Sequence, residues 1–283
     1  MRYKPMLAYP ASNKPIDYTK KVFIQPKLDG VRCVIQYEKT SVGHQVKAYS
    51  RTGKEWINID HIRMELRSFF QKHPNVVLDG ELYNHDFKDN FEKIISMVRK
   101  TKPQEEDRWE SDLYVQFHCY DIVNRKMNFE TRMDFIYSNV PEFYCVKHVP
   151  SVRIFKHEEA LDIHHNENLI KGYEGSIVRT NDVYKCGRSW NLRKFKDFHD
   201  TEATIVGFVE GKGKRKGTIG KFIAEDKDGV MFGMPVMDKF KYLQDNFKAM
   251  QGWIGKTATF TYFERTKAGS YRHPLFKAIR DYE

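Results

Sequence analysis

Seven segments of alternating or β-rich character, at 22–25, 30–37, 45–50, 76–83, 113–122, 174–180 and 191–198, crowd the first two hundred residues. A half-buried strand hides one face at a period of two, so a chain this rich in strands has to stack or close its sheets. Helical patterns intervene near 61–73, 87–100, 130–139 and 157–171. Strands outnumber helices and neighbouring strand signals follow short turns. That favours an α+β domain of largely antiparallel sheets with flanking helices over a doubly wound fold. The polar stretch Lys100–Asp112 is expected to be an exposed loop.

Near 199–201 the character changes. Short strand signals at Ala203–Glu210, Thr218–Glu225 and Val230–Met234 precede a helix-like Asp238–Gln251 and a further strand at Lys256–Arg265. Strands plus one helix in about eighty residues fit a small β-barrel, with the OB-fold the leading candidate. The expected division is 1–199 and 200–283, with a linker around Phe198–Thr201 and neither internal repeats nor low-complexity tracts.

At 283 residues the chain has ample length for a core, and its net charge of +10 makes a polyanionic partner plausible. Residues 200–283 hold 15 Lys/Arg against 11 Asp/Glu, or +4, leaving +6 for the rest. The positive charge is thus shared rather than gathered in one tail. Cys33, Cys119, Cys145 and Cys186 form no Cys-x-x-Cys pair, which argues against a zinc site or disulfide framework and for reduced thiols in a cytosol-like compartment. The start of the chain lacks a signal-peptide apolar core and no apolar run is long enough to span a membrane. A soluble protein of the cytoplasm is expected.

Within this frame Lys27-Leu28-Asp29-Gly30-Val31-Arg32 carries the chemistry. It sets a lysine between the apolar run Val22-Phe23-Ile24 and a strand, with an aspartate, a glycine and an arginine within five positions. Lysine attacks phosphorus only as the neutral amine, so a nucleophilic Lys27 needs cations or a metal nearby to lower its pKa. Gly30 permits close approach of backbone or ligand, and Arg32 supplies a fork of donors for a carboxylate, ribose or phosphate. Alone, the string also suits an ordinary Asp-Gly turn into a strand.

Five later groups decide between those readings. Ser50-Arg51-Thr52-Gly53 ends a strand in an arginine and a turn glycine. Leu78-Asp79-Gly80-Glu81-Leu82 sets Glu81 just past a buried-looking run, and Tyr120-Asp121 closes the strand from Val115. Glu174-Gly175-Ser176-Ile177-Val178-Arg179 brings another carboxylate, and Leu192-Arg193-Lys194-Phe195-Lys196 puts two lysines on one strand face. Each has a plain alternative as a solvated strand-end acid, a core aromatic or an exposed face. Together they supply what nucleotidyl transfer needs: a nucleophile, two acids suited to a hard cation, a stacking aromatic and further cations.

In this set and order the chain resembles the covalent nucleotidyltransferase superfamily of ATP-dependent DNA ligases, RNA ligases and mRNA-capping enzymes, over nearly its whole length. Ala203-Thr204-Ile205-Val206-Gly207-Phe208 and the glycine- and lysine-rich 211–217 look like the opening of a DNA-ligase OB domain. Arg272-His273-Pro274-Leu275-Phe276 with Arg280-Asp281 looks like the last ligase motif of compact phage- and virus-type enzymes. The lysine that often follows that Arg-Asp pair is absent, which leaves Arg272 or Arg280 to orient pyrophosphate.

The resemblance implies an ATP-dependent DNA ligase that seals nicks in duplex DNA through a lysyl-AMP on Lys27 and an adenylated 5′-phosphate. ATP is the AMP donor and Mg²⁺, or Mn²⁺, the metal, with Glu81 and Glu174 as metal or ribose ligands. Arg32, Lys194 and Lys196 join Lys27 in catalysis. Gln25 lies where the family reads adenine, Tyr120 would stack on that base, and Arg51, Arg179 and Arg272 would also contact nucleotide or phosphate. The partner would be nicked duplex DNA, held across both domains without sequence specificity by a monomer, in the host cytoplasm for a viral or phage source. With the first motif at residue 27, no DNA-binding domain is expected ahead of it, so encirclement would fall to loop 100–112 or 210–217. A capping-type guanylyltransferase would use GTP and an RNA end, and an RNA ligase would usually lack this second domain. A non-catalytic OB protein would have no use for two acids facing a phosphate.

Overall fold

The computed structural model describes residues 3–88, 90–154, 159–196, 199–262, 265 and 269–280. The chain divides into two compact units, Met1–Phe195 and Lys196–Glu283.

The first unit runs β1 (Met6–Pro10), β2 (Val22–Pro26), β3 (Val31–Thr40), β4 (Gly43–Tyr49), α1 (Asp60–Glu65), α2 (Arg67–Lys72), β5 (Val77–Tyr83), α3 (Phe91–Val98), α4 (Glu105–Tyr114), β6 (Gln116–Ile122), α5 (Phe129–Asn139), β7 (Val146–His148), β8 (Val152–Ile154), α6 (Glu159–Ile170), β9 (Ser176–Thr180) and β10 (Gly187–Phe195). Its strands form two five-stranded sheets, in orders β1-β10-β9-β2-β8 and β4-β3-β5-β6-β7. Every pairing is antiparallel except β1 with β10 and β6 with β7. The larger core lies under the second sheet, where Ile35, Leu78 and Phe117 meet Ile62, Phe70 and Ile136 from the helices. Full burial of each such side chain stabilises the fold by about 1.5–3 kcal/mol. In α3, Ile94, Met97 and Val98 are buried at helical spacing, which docks that helix onto the sheet.

Lys100–Asp112 is not a loop: its second half is α4. Gln104 and Asp107 make a capping box, and Glu105, Glu106 and Asp107 place negative charge in the first turn, where the helix dipole favours it. Of the helix residues only Ser111 is fully buried, so the stretch lacks the apolar stripe that would have announced a helix. The pattern at 61–73 is two short helices meeting at Leu66 rather than one.

The second unit contains β11 (His199–Glu210), β12 (Ile219–Glu225), β13 (Met231–Pro235), α7 (Phe240–Asp245), α8 (Phe247–Gln251), β14 (Thr257–Tyr262) and β15 (Leu275–Ile279). The sheet order is β13-β12-β11-β14-β15, all antiparallel, around a core that includes Ile205, Phe222, Met234, Leu243 and Phe260. This is the OB-like barrel element set with one helical segment between strands. Residues 199–201, read as linker, open β11 by pairing with 260–262, while Phe198 lies outside the described residues.

Candidate active site

Strand ends converge on Lys27. β2 pairs with β9 through Gln25↔Ile177 and Pro26↔Ser176, and the pairing continues beyond both strands. Lys27 N donates to the Gly175 carbonyl at 2.9 Å and Glu174 N to the Lys27 carbonyl at 3.1 Å. Gly175 holds φ at +142°, which favours glycine. The main chain therefore fixes Glu174 beside Lys27, whose Nζ forms an ion pair with Glu174 Oε2; the two side chains are 19% and 4% exposed.

Pairing of β3 with β5 sets Arg32 opposite Glu81. The guanidinium takes Asp79 instead, the acid two residues back on the same strand face, with Nε donating at 2.5 Å and Nη2 making a second contact. Tyr184 Oη also donates to Asp79, at 2.6 Å. Burial opposes the Arg32 charge, but Asp79, Tyr120 and Tyr184 together outweigh it and hold the guanidinium well above its ordinary pKa.

The register between β5 and β6 steps from Asp79↔Asp121 to Gly80↔Cys119, leaving Tyr120 as the extra residue of a bulge. Its hydroxyl donates to Glu81 Oε2 at 3.2 Å, and the Arg32 and Arg179 guanidiniums lie 5.1 and 5.3 Å from its ring centroid. Burial pushes Glu81 up to about 7, against the pull of Arg32 and Lys27. Lys194 sits across from Ile177 on β10, and burial with the charges of Lys27 and Arg188 lowers its pKa.

One cavity of about 710 Å³ gathers most of the expected residues: Gln25, Lys27, Arg32, Arg51, Glu81, Tyr120, Arg179 and Lys194 all line it. Glu174 joins them through its ion pair with Lys27. Lys196 and Arg272 belong to the second unit and are not among the residues lining the cavity. Asp281, with the two residues after it, lies outside the described residues.

Sequence reasoning missed several members. Arg188, Trp56, Leu7 and Ala8 line the cavity, and Ser151 accepts from Gln25. Asp79 and Asp121 stood inside quoted motifs without a role, yet each is fully buried and holds an arginine. An acid inside an otherwise apolar strand was the available signal, because a buried carboxylate requires a partner. For Ser151 no local signal exists.

Glu81 and Glu174 are the acids that could hold a metal. Among the described residues no group of three or more His, Cys, Asp or Glu is arranged for one. Magnesium takes one or two carboxylates and completes its shell with water and phosphate oxygens, so this pair of hard oxygen donors around Lys27 fits it.

A lysine flanked by acids where two largely antiparallel sheets meet, in a chain that continues into an OB-like unit, defines the nucleotidyltransferase class with an appended OB domain. Within that class, the chain belongs to the ATP-dependent DNA ligase domain family, whose model matches residues 5–196; a DNA ligase OB-like domain model matches residues 210–280. It is 30% identical over 206 residues to the DNA ligase of African swine fever virus (isolate Pig/Kenya/KEN-50/1950), covering 69% of this chain and 46% of that protein. The chain thus spans about half the length of the curated relatives it matches. Among solved structures, a Lig E DNA ligase described as binding DNA with a minimal scaffold superposes with a TM-score of 0.77 at 23% identity, covering 99% of this chain and all of that one. The Chlorella virus DNA ligase-adenylate gives 0.51 at 24% identity, covering 99% of each. Both likenesses are of fold. No helix among the described residues is long and apolar enough to cross a membrane.

Proposed function

We propose that this chain is an ATP-dependent DNA ligase that seals nicks in duplex DNA, with residues 1–199 as the adenylation domain and 200–283 as the OB domain. The observation that carries the reading is the placement of Lys27 in a cavity with Glu81, Arg32 and Lys194, its side chain ion-paired to Glu174. In the first step Lys27 gives up one Nζ proton to solvent, the charges of Arg32 and Lys194 favouring the neutral amine, which attacks the α-phosphate of ATP and loses its second proton to solvent as the bond forms. The N–P bond forms, the bond to pyrophosphate breaks, and AMP remains on Lys27. Arg32 and Lys194 face the charge that develops on the phosphate oxygens. The 5′-phosphate at a nick then displaces Lys27 from AMP, and the 3′-hydroxyl displaces AMP to close the backbone.

Glu81 and Glu174 would hold Mg²⁺, or Mn²⁺, which when bound neutralises phosphate charge as a Lewis acid. Gln25 faces the adenine, Tyr120 provides the ring against it, and Arg51 meets the nucleotide or the nick phosphate. Arg179 supports the nucleotide pocket. Lys196, near the end of the adenylation domain, and Arg272, in the OB domain, are the remaining cations assigned to the triphosphate. Duplex DNA is held through phosphates by basic residues of both units, without base-specific contacts, by a monomer in a cytoplasmic compartment. The match of residues 210–280 to a DNA ligase OB-like model favours DNA over an RNA ligase or capping substrate.

The test is incubation with Mg²⁺, ATP and a labelled duplex carrying a single nick, in parallel with the same nick in RNA. Sealing of the DNA with accumulation of adenylated 5′-ends at limiting turnover is expected. Sealing of RNA alone, or label taken up from GTP alone, would contradict the reading.

A further inference from the structure

Gln25 lines the cavity two residues before Lys27 and is 2% exposed. Its Nε2 donates to the Tyr120 carbonyl at 3.2 Å and to Ser151 Oγ at 2.7 Å, with the Met133 sulfur 4.0 Å away. Its Oε1 accepts from Arg179 Nε at 2.6 Å. Two of these partners have only one role: a peptide carbonyl only accepts and a guanidinium only donates. Turning the carboxamide over would set oxygen against oxygen and nitrogen against N–H. Ser151 accepts or donates equally well and does not choose. Both hydrogens of Nε2 are thus engaged within the protein. Among the described residues Oε1 accepts from Arg179 alone, which leaves it one lone pair.

Arg179 is itself held in place. Nη1 donates to Asp121 at 2.7 Å, and Asp121 also accepts from Arg132 Nε at 2.6 Å. The Arg179 guanidinium lies 5.3 Å from the Tyr120 ring centroid and 5.1 Å from that of Phe129. All three charged groups are buried, and a buried polar network with its partners in place rigidifies what it touches.

We propose that Arg179 is a positioning residue that locks Gln25 as a hydrogen-bond acceptor toward the purine 6-position, so that the cavity takes a 6-amino purine nucleotide and rejects a 6-oxo one. This rests on reading the cavity as the ATP site. A 6-amino group donates to the open lone pair of Oε1. A 6-oxo group turns a second acceptor toward it and leaves both unpaired, the situation in which a polar site discriminates most strongly. A purine bearing only hydrogen at that carbon neither donates nor opposes, and falls between them.

The experiment compares the rate at which the protein takes up nucleotide label from ATP, purine riboside triphosphate and inosine triphosphate, first with wild type and then with Arg179→Met and Arg179→Lys. Wild type should rank them in that order, with ATP ahead of inosine triphosphate by about a hundredfold or more. Arg179→Met frees the carboxamide to turn and should shrink that ratio by about tenfold or more. Arg179→Lys keeps a donor opposite Oε1 and should stay nearer wild type. A general loosening of the packing lowers all three rates together and leaves the ratio alone. Inosine triphosphate used by wild type as well as purine riboside triphosphate would overturn the lock, whether or not Arg179→Met folds. An unchanged ratio in folded Arg179→Met would overturn it too. No label from any nucleotide would overturn the underlying site reading instead.

Discussion

A methyl group on Gly30 would sit 2.4 Å from the Leu82 carbonyl and 2.7 Å from Glu81 Cγ. The first of those neighbours is backbone, which no side-chain rotation relieves. The turn after Lys27 and the strand end that carries Glu81 are therefore built against each other. Gly30→Ala is expected to lower unfolding free energy by about 1–3 kcal/mol. It should also slow lysine adenylation more than the drop in stability explains, since relief of the clash shifts Glu81 or the lysine turn. Urea unfolding and single-turnover labelling on one preparation check both; unchanged values would contradict the packing described.

Asp79 is fully buried and accepts from both Arg32 and Tyr184. Removing one partner of a buried pair leaves the other charge uncompensated, so Asp79→Ala is expected to cost about 3–5 kcal/mol. Arg32→Lys should also weaken adenylation, because an ammonium cannot reproduce the guanidinium fork that grips Asp79. A thermal melt that left Asp79→Ala at wild-type stability would contradict this.

His118 gives the pH dependence a defined sign. Burial, with Lys147 and His85 nearby, pushes its pKa down to about 3 from the ordinary 6.5. The unfolded chain takes up the proton below pH 6.5 while the folded chain does so only near 3. Stability contributed by this residue is thus intact above pH 6.5 and falls away from there toward 3. One differentially bound proton makes the slope about 1.4 kcal/mol per pH unit at its steepest. His118→Gln should flatten the stability profile between about pH 6 and 4 by that slope, and an unchanged profile would contradict it.

The turn between β11 and β12 exposes Lys212, Lys214 and Lys216, while Arg215 Nη1 reaches back toward the Val236 carbonyl. Exposed lysines that meet phosphates release counterions, so replacing all three with alanine should weaken nicked-duplex binding at low salt. It should also reduce the slope of log affinity against log salt by about 0.9 for each phosphate no longer neutralised. Arg215→Ala should change that slope less. Titrations across a series of salt concentrations distinguish the two.

Much of this site was legible because its residues stand at the ends of apolar strand runs. Lys27 follows β2, Glu81 stands within β5 between the buried stretches Val77–Gly80 and Leu82–Tyr83, and Lys194 lies on β10, so period-two patterning locates them without knowledge of the fold. What stayed hidden depends on long-range pairing. β1 meets β10 across some 180 residues and brings Leu7, Ala8 and Arg188 to the cavity, and nothing local in either segment announces the partner. The turn carrying Ser151 becomes part of the site only because Gln25 reaches it, 126 positions away. Helix α4 escaped for a different reason: a capping box and first-turn charge define it, not hydrophobic period.

Lys27 as the residue that carries AMP is the central claim. The direct measurement is to incubate the full chain with Mg²⁺ and α-labelled ATP, denature it, digest it, and identify by mass spectrometry the residue that holds the nucleotide. AMP is expected on Lys27, released by added pyrophosphate, with no label on Lys27→Ala, whose circular dichroism should match wild type. AMP on another lysine, or undiminished labelling of Lys27→Ala, would contradict it.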